Sequence, residues 1–303
     1  MPHPVRHPAI AAVGPADQPL LAALGRYFYL TAAQLTRLLY APTSHKYAQA
    51  RIKRLADAGY VQRLFLPRPT RTGSAPLVYT LARKGLNLLV EWGIDVDRRY
   101  RPAEVRELSY LYLAHTLALN DVLIALELLA RSTPMLEVAE LRHERELKLH
   151  PVTVTLADGS RAGVIPDAWV DLRLTGERQR YQECYAIELD RGTTEQKAWR
   201  RKVAALVAFA AGPYQQPFGS SSLTIAVVAT PGPTRSEQLL RWTEAELRQL
   251  GREDAGVLFR FTGVPIASAR PEDLFRGAAW RAPFAERLEP LLDLTEVEVV
   301  RAR

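Results

Sequence analysis

Apolar residues recur at helical spacing in three short stretches near the start of the chain, over 20–28, 32–40 and 46–58. Thr31 is placed to cap the second stretch and Ser44 the third, because a side-chain oxygen there can accept from an unpaired N–H of the first turn. Gly59 closes the third helix. Two strand-like runs follow, 60–66 and 77–81, joined by a loop at 67–76 that carries Arg, Pro and Gly; residues 82–92 return to helical spacing. A polar stretch with Arg98, Arg99 and Arg101 separates these elements from residues 108–130, which are apolar nearly all round and so predict a helix buried on more than one side.

The second half of the chain has a different rhythm. Residues 136–149 are charged and mixed in sign, which predicts an edge strand running into a turn. Residues 152–156 and 162–174 predict a hairpin, with Asp158-Gly159 as a type I′ turn. Residues 182–190 predict the next strand, and Thr193 with Gln196 predicts a capping box that opens a helix over 194–211. At 100° per residue Trp199, Val203, Leu206 and Ala210 form one stripe of that helix, with Lys202 at its border and Lys197 on the far side. A strand at 223–230, an amphipathic helix at 234–250 and a strand at 257–262 then imply a parallel crossover added to an antiparallel meander.

The fold class expected is therefore α/β (α+β), in two parts. The order helix, helix, helix, strand, loop, strand, helix over 18–92 is that of a winged helix-turn-helix, behind a Pro- and Ala-rich tail at 1–17 that is expected to be disordered. Residues 93–107 read as a linker, 108–265 as a mixed sheet flanked by helices, and 266–303 as a C-terminal extension. In the third helix Tyr47, Ile52, Leu55 and Ala58 are expected to face inward. His45, Lys46, Gln49, Arg51 and Lys53, with Arg63, Arg68 and Arg71 around the wing, are then left for double-stranded DNA. A helix in the major groove and basic side chains on phosphates is how such domains bind.

Composition narrows the classes. The chain has 303 residues, 48% of them hydrophobic, and a net charge of +7, a balance that favours a polyanionic partner. Its single cysteine, Cys184, rules out an internal disulfide and a thiolate metal cluster; it sits in a strand and reads as core. No N-terminal export segment stands out, and the reading is a cytoplasmic protein without a membrane anchor. There is no Walker A loop, no GxGxxG and no metal-ligand His pair.

The candidate chemistry lies at 164–202. Residues two apart in a strand share a face, so Glu188 and Asp190 project together, and Asp167 in the preceding run can meet them. Three converging carboxylates repel one another, and a divalent cation offsets that cost; Mg²⁺ suits an all-oxygen site and can activate water against a phosphodiester. Pro166-Asp167, Glu188-x-Asp190 and a helix bearing Lys202 resemble the PD-(D/E)xK nuclease superfamily, or restriction-endonuclease-like fold. The chain departs from that pattern in placing Asp190 where the strand lysine usually stands. The resemblance makes Asp167, Glu188 and Asp190 metal ligands and Lys202 the catalytic cation.

Three features together, namely the winged region, His115-x-x-x-x-Asn120-Asp121, and Pro166-Asp167 followed by Glu188-Leu189-Asp190-Arg191-Gly192-Thr193, are similar to the replication-relaxation family of plasmids and integrative elements, over about residues 20–265. That resemblance implies a DNA-binding protein of a mobile element, acting in plasmid replication or mobilisation. Its nuclease-like domain would be Mg²⁺-dependent if active. The alternative is a non-enzymatic initiator or regulator. Relaxase or replication proteins, and a homodimer, are the candidate protein partners.

Overall fold

Residues 13–65, 77–96, 109–176 and 180–294 are described by the computed structural model. The chain divides into two compact units, residues 1–120 and 121–303, with the boundary inside one long helix.

The first unit contains α1 (Gln18–Tyr27), β1 (Leu30–Thr31), α2 (Ala32–Leu39), α3 (His45–Asp57), β2 (Val61–Phe65), β3 (Leu77–Leu81) and α4 (Arg83–Glu91). Thr31 caps α2 in a capping box: its hydroxyl accepts from the Gln34 N–H, and the Gln34 side chain accepts from the Thr31 N–H. Ser44 is the N-cap of α3 but makes no side-chain cap bond. Gly59 ends α3 with φ +78°, a conformation only glycine adopts without strain. The three strands form a sheet in the order β1-β3-β2, all antiparallel. β1 is too short for its sequence to announce it. The loop after β2, with Arg68 and Arg71, lies outside the described residues, as do the N-terminal residues 1–12 and residues 97–108.

One inward position of α3 differs from expectation. Ala48, Ile52 and Leu55 are buried, whereas Tyr47 is 53% exposed. Helical phase explains the difference: Ala48, Ile52 and Leu55 follow the i, i+4, i+7 pattern of a single face, and Tyr47 lies 100° off it.

The long helix α5 (Tyr110–Ser132) is long and apolar enough to cross a membrane by length and composition, but most of its apolar stretch is buried within the protein. In the first unit its buried Asn120 donates to the carbonyls of Tyr27 and Tyr29, which satisfies the end of α1.

The second unit is built on a mixed five-stranded sheet, order β10-β9-β8-β7-β4. Its strands are β4 (Leu136–His143), β7 (Ala168–Thr175), β8 (Arg180–Asp190), β9 (Thr224–Ala229) and β10 (Phe259–Thr262). β4, β7 and β8 run antiparallel; β8, β9 and β10 run parallel, linked through α7 (Gln196–Ala210) and α9 (Pro233–Leu250). Side-chain alternation separates the two faces. Trp169, Cys184, Ala186, Ile225 and Val227 pack with Trp199, Val203, Leu206 and Phe209 of α7 and with Leu239, Leu240 and Leu247 of α9. Leu172, Tyr185, Ile187, Ala226 and Val228 lie on the other face, where Val122, Leu126, Phe275 and Trp280 line a shared cavity.

Three expectations are corrected here. The run 162–174 is two strands: β6 (Arg161–Val164) pairs with β5 (Val152–Thr155) in a separate ribbon, and the chain re-enters the main sheet only at Ala168. Pro166 has no N–H to give the ladder, so the strand breaks there. The ribbon's turn is not type I′, since Gly159 has positive φ and Asp158 does not. The Asp158 carboxylate instead accepts from the Ser160 N–H, and Leu156 N–H reaches the Ser160 carbonyl across a three-residue loop. The box at Thr193 does not form either; α7 starts at Gln196 with Glu195 as its N-cap.

The charged stretch after β4 is a short helix, α6 (Glu144–Leu147), and the 212–222 loop contains another, α8 (Gln215–Phe218). Beyond β10, α10 (Pro271–Phe275) follows. Arg281 then exchanges both backbone hydrogen bonds with Phe261, so residues after 265 extend the sheet edge, and Trp280 is fully buried.

Candidate functional site

The Pro166 break gives Asp167 its position. Freed from a ladder of its own, the Asp167 N–H donates to the Ile187 carbonyl, and its Oδ2 accepts from the Leu189 N–H at 2.7 Å. Asp167 is thereby bracketed onto the two residues that flank Glu188. On its other side the Asp167 carbonyl accepts from the Glu144 N–H at 2.8 Å, and carboxylate oxygens of Glu144 and Asp167 come within 4.8 Å of each other. One cation can bridge such a separation.

Glu188 projects from β8 toward α7 and is only 1% exposed. Its Oε2 forms an ion pair with Lys202, whose position at the border of the apolar stripe of α7 brings its ammonium down to the sheet. Lys197 is exposed. Burial pulls the Lys202 ammonium below the ordinary lysine range, but the carboxylates of Glu188, Asp167 and Glu144 together outweigh it and hold the group above that range. Lys202 nevertheless keeps 37% of its side chain exposed, so the cation is within reach of a ligand from solvent.

Asp190 shares the face of Glu188 yet belongs to a different cluster. Both of its oxygens accept from the Arg235 guanidinium at 3.0–3.3 Å, and both also accept from the Gly192 N–H. Arg235 comes from the first turn of α9, a position no local spacing could reveal. Glu144 was likewise hidden in sequence, since a charged stretch after an edge strand reads as solvated.

Asp167, Glu188 and Glu144, with Lys202 paired to Glu188 and Lys148 to Glu144, leave one net negative charge among hard oxygen donors. That is a donor set suited to Mg²⁺ or Mn²⁺ and unsuited to a soft metal.

The candidate DNA-contacting residues of α3 and β2 sort into two groups. Lys46, Gln49 and Lys53 are exposed. The others are engaged within the unit. Arg51 donates to the buried Asp17 at 2.8 Å and lies over the Tyr47 ring. His45 Nδ1 bonds Thr36 Oγ1 at 3.0 Å. Arg63 pairs with Asp57 and donates to the Lys53 carbonyl. Arg54, not singled out from sequence, divides its guanidinium between Asp17 and solvent.

Comparison with known proteins adds one match. A family model described as Replication-relaxation covers residues 21–221. No curated protein and no solved structure matches the chain.

Proposed function

The chain belongs to the replication-relaxation family, and from that premise we propose that it is a DNA-binding protein of a plasmid or integrative element that cuts a phosphodiester at Asp167, Glu188 and Lys202. The observation that carries this reading is the ion pair between Lys202 and Glu188 beside Asp167. In it, a lysine from the helix stands in for the strand lysine that Asp190 replaces.

The first unit is read as a winged helix-turn-helix that docks on double-stranded DNA through the exposed side of α3, with relaxase or replication proteins as partners. In the second unit Asp167, Glu188 and Glu144 would hold Mg²⁺. When bound, that ion supplies positive charge and lowers the pKa of a water nucleophile. Lys202, exposed on one side, places a further positive charge where the phosphate gains negative charge in the transition state. Glu188 keeps that ammonium oriented.

A second reading, a non-enzymatic initiator whose nuclease-like core only binds, draws on the closure of Asp190 by Arg235 and on the depth of Glu188. Relaxation of supercoiled plasmid by the purified protein in Mg²⁺ or Mn²⁺ decides between them. Nicking is expected from the wild type, lost in Lys202→Ala and Glu188→Gln, and largely kept in Lys197→Ala. A wild type that nicks no duplex, branched or single-stranded DNA leaves the binding reading standing.

A further inference from the structure

The turn that joins β8 to α7 is gripped from outside by the Arg235 side chain. Arg235, with 12% of its side chain exposed, contacts both oxygens of Asp190 and donates to the Thr194 carbonyl at 2.6 Å. Its guanidinium also lies over the Trp242 ring at 4.9 Å. One planar group thus grips the first and the fifth residue of the segment 190–194. Asp190 adds two further ties: its carboxylate accepts from Gly192 N–H, and its carbonyl accepts from Thr230 N–H at the end of β9. Gly192 takes φ +82°, and a Cβ there would stand 3.0 Å from the Pro231 ring, so the turn is also seated against the loop between β9 and α9.

We infer that Asp190 and Arg235 form a clamp that sets where α7 begins, and that Arg235 is thereby a positioning residue for Lys202 rather than Asp190 being a cation ligand. The physical reason is geometric and electrostatic. Lys202 lies less than two turns into α7, so a shift of the helix start is carried directly to its ammonium. A carboxylate with both oxygens committed to a guanidinium has little left to offer a metal, since a bidentate Arg–carboxylate pair is among the strongest charge-assisted contacts. Lysine at 235 would lack the planar fork that bridges Asp190 and Thr194.

This inference rests on the proposed site, and its test separates the two. Amide exchange followed by mass spectrometry is compared for wild type, Arg235→Gln and Arg235→Lys. Faster exchange in 191–202 is expected in Arg235→Gln, partly restored in Arg235→Lys. Faster exchange confined to α9 would mean that Arg235 only holds its own helix, and the positioning role falls. Mn²⁺ binding to the intact protein, followed by calorimetry, is the second arm. The double variant Asp190→Asn/Arg235→Gln is expected to bind within about threefold of wild type, whereas Asp167→Asn loses at least about tenfold. A loss in the double variant equal to that of Asp167→Asn makes Asp190 a ligand and overturns the clamp. Wild type that takes up no Mn²⁺ removes the metal from the proposed function, and the clamp then stands or falls on the exchange data. Should Arg235→Gln unfold, the same exchange comparison is made between wild type and Arg235→Lys alone, where unchanged protection of 191–202 counts against the clamp.

Discussion

At the scale of single residues, burial decides which chemistry each side chain keeps. Cys184 has no exposed surface, and burial pushes its thiol up from 9.0 to about 11, against a smaller pull from the Ser220 hydroxyl. Because the folded state favours the neutral thiol, the stabilisation from Cys184 is complete below pH 9.0 and is lost as the pH rises toward 11. The native protein should therefore resist iodoacetamide at pH 8 and react fully after denaturation, as read by intact mass. Rapid native labelling would contradict the burial. The same logic separates Asp190 from Glu188: both are buried, and each has the cation nearest its own strand position, Arg235 for one and Lys202 for the other.

At the scale of elements, close approach outweighs propensity. Alanine normally stabilises a helix over glycine by about 1 kcal/mol. In α4 the opposite is expected at Gly85, where a Cβ would fall 2.2 Å from the Tyr60 carbonyl oxygen. The backbone must then move, so Gly85→Ala should cost about 1–3 kcal/mol, seen as a lower thermal midpoint. An unchanged or raised midpoint would show that α4 does not pack on Tyr60 as described. The break at Pro166 acts at the same scale. A missing N–H ends one ribbon and lets Asp167 turn its own N–H to the neighbouring strand, which is how a backbone vacancy in a ladder becomes a placed carboxylate.

At the scale of the whole molecule, the two proposed activities sit in separate compact units, and their losses should be separable. Lys46→Ala with Lys53→Ala should weaken duplex binding and lower the slope of log K against log salt by about 2, one for each phosphate contact removed. The same variant should bind Mn²⁺ as wild type does. Glu188→Gln should show the reverse, normal duplex binding with Mn²⁺ lost. Fluorescence anisotropy across a salt series reads the first effect and calorimetry the second. Arg51→Ala is expected to act differently, lowering the thermal midpoint because it leaves the buried Asp17 short of a partner. An unchanged salt slope in the double lysine variant would move the DNA contact away from α3.

Much of this architecture is written in local pattern. Strand parity places Glu188 and Asp190 on one face, helical phase places Lys202 rather than Lys197 beside them, and Thr31 with Gln34 caps α2 as its spacing requires. Parity and phase are properties of a few consecutive residues, so the sequence alone determines them, together with the strand–helix–strand crossover of β8, α7 and β9. Pairing of distant groups is another matter. That Asp190 is bound by Arg235, 45 residues on, and that Glu144 comes up to Asp167, followed from which elements lie side by side. So did the burial of Trp280 under a sheet extended beyond residue 265. A desolvated charge takes whichever opposite charge the fold delivers to it, and that delivery exists only once the sheet and its helices have assembled.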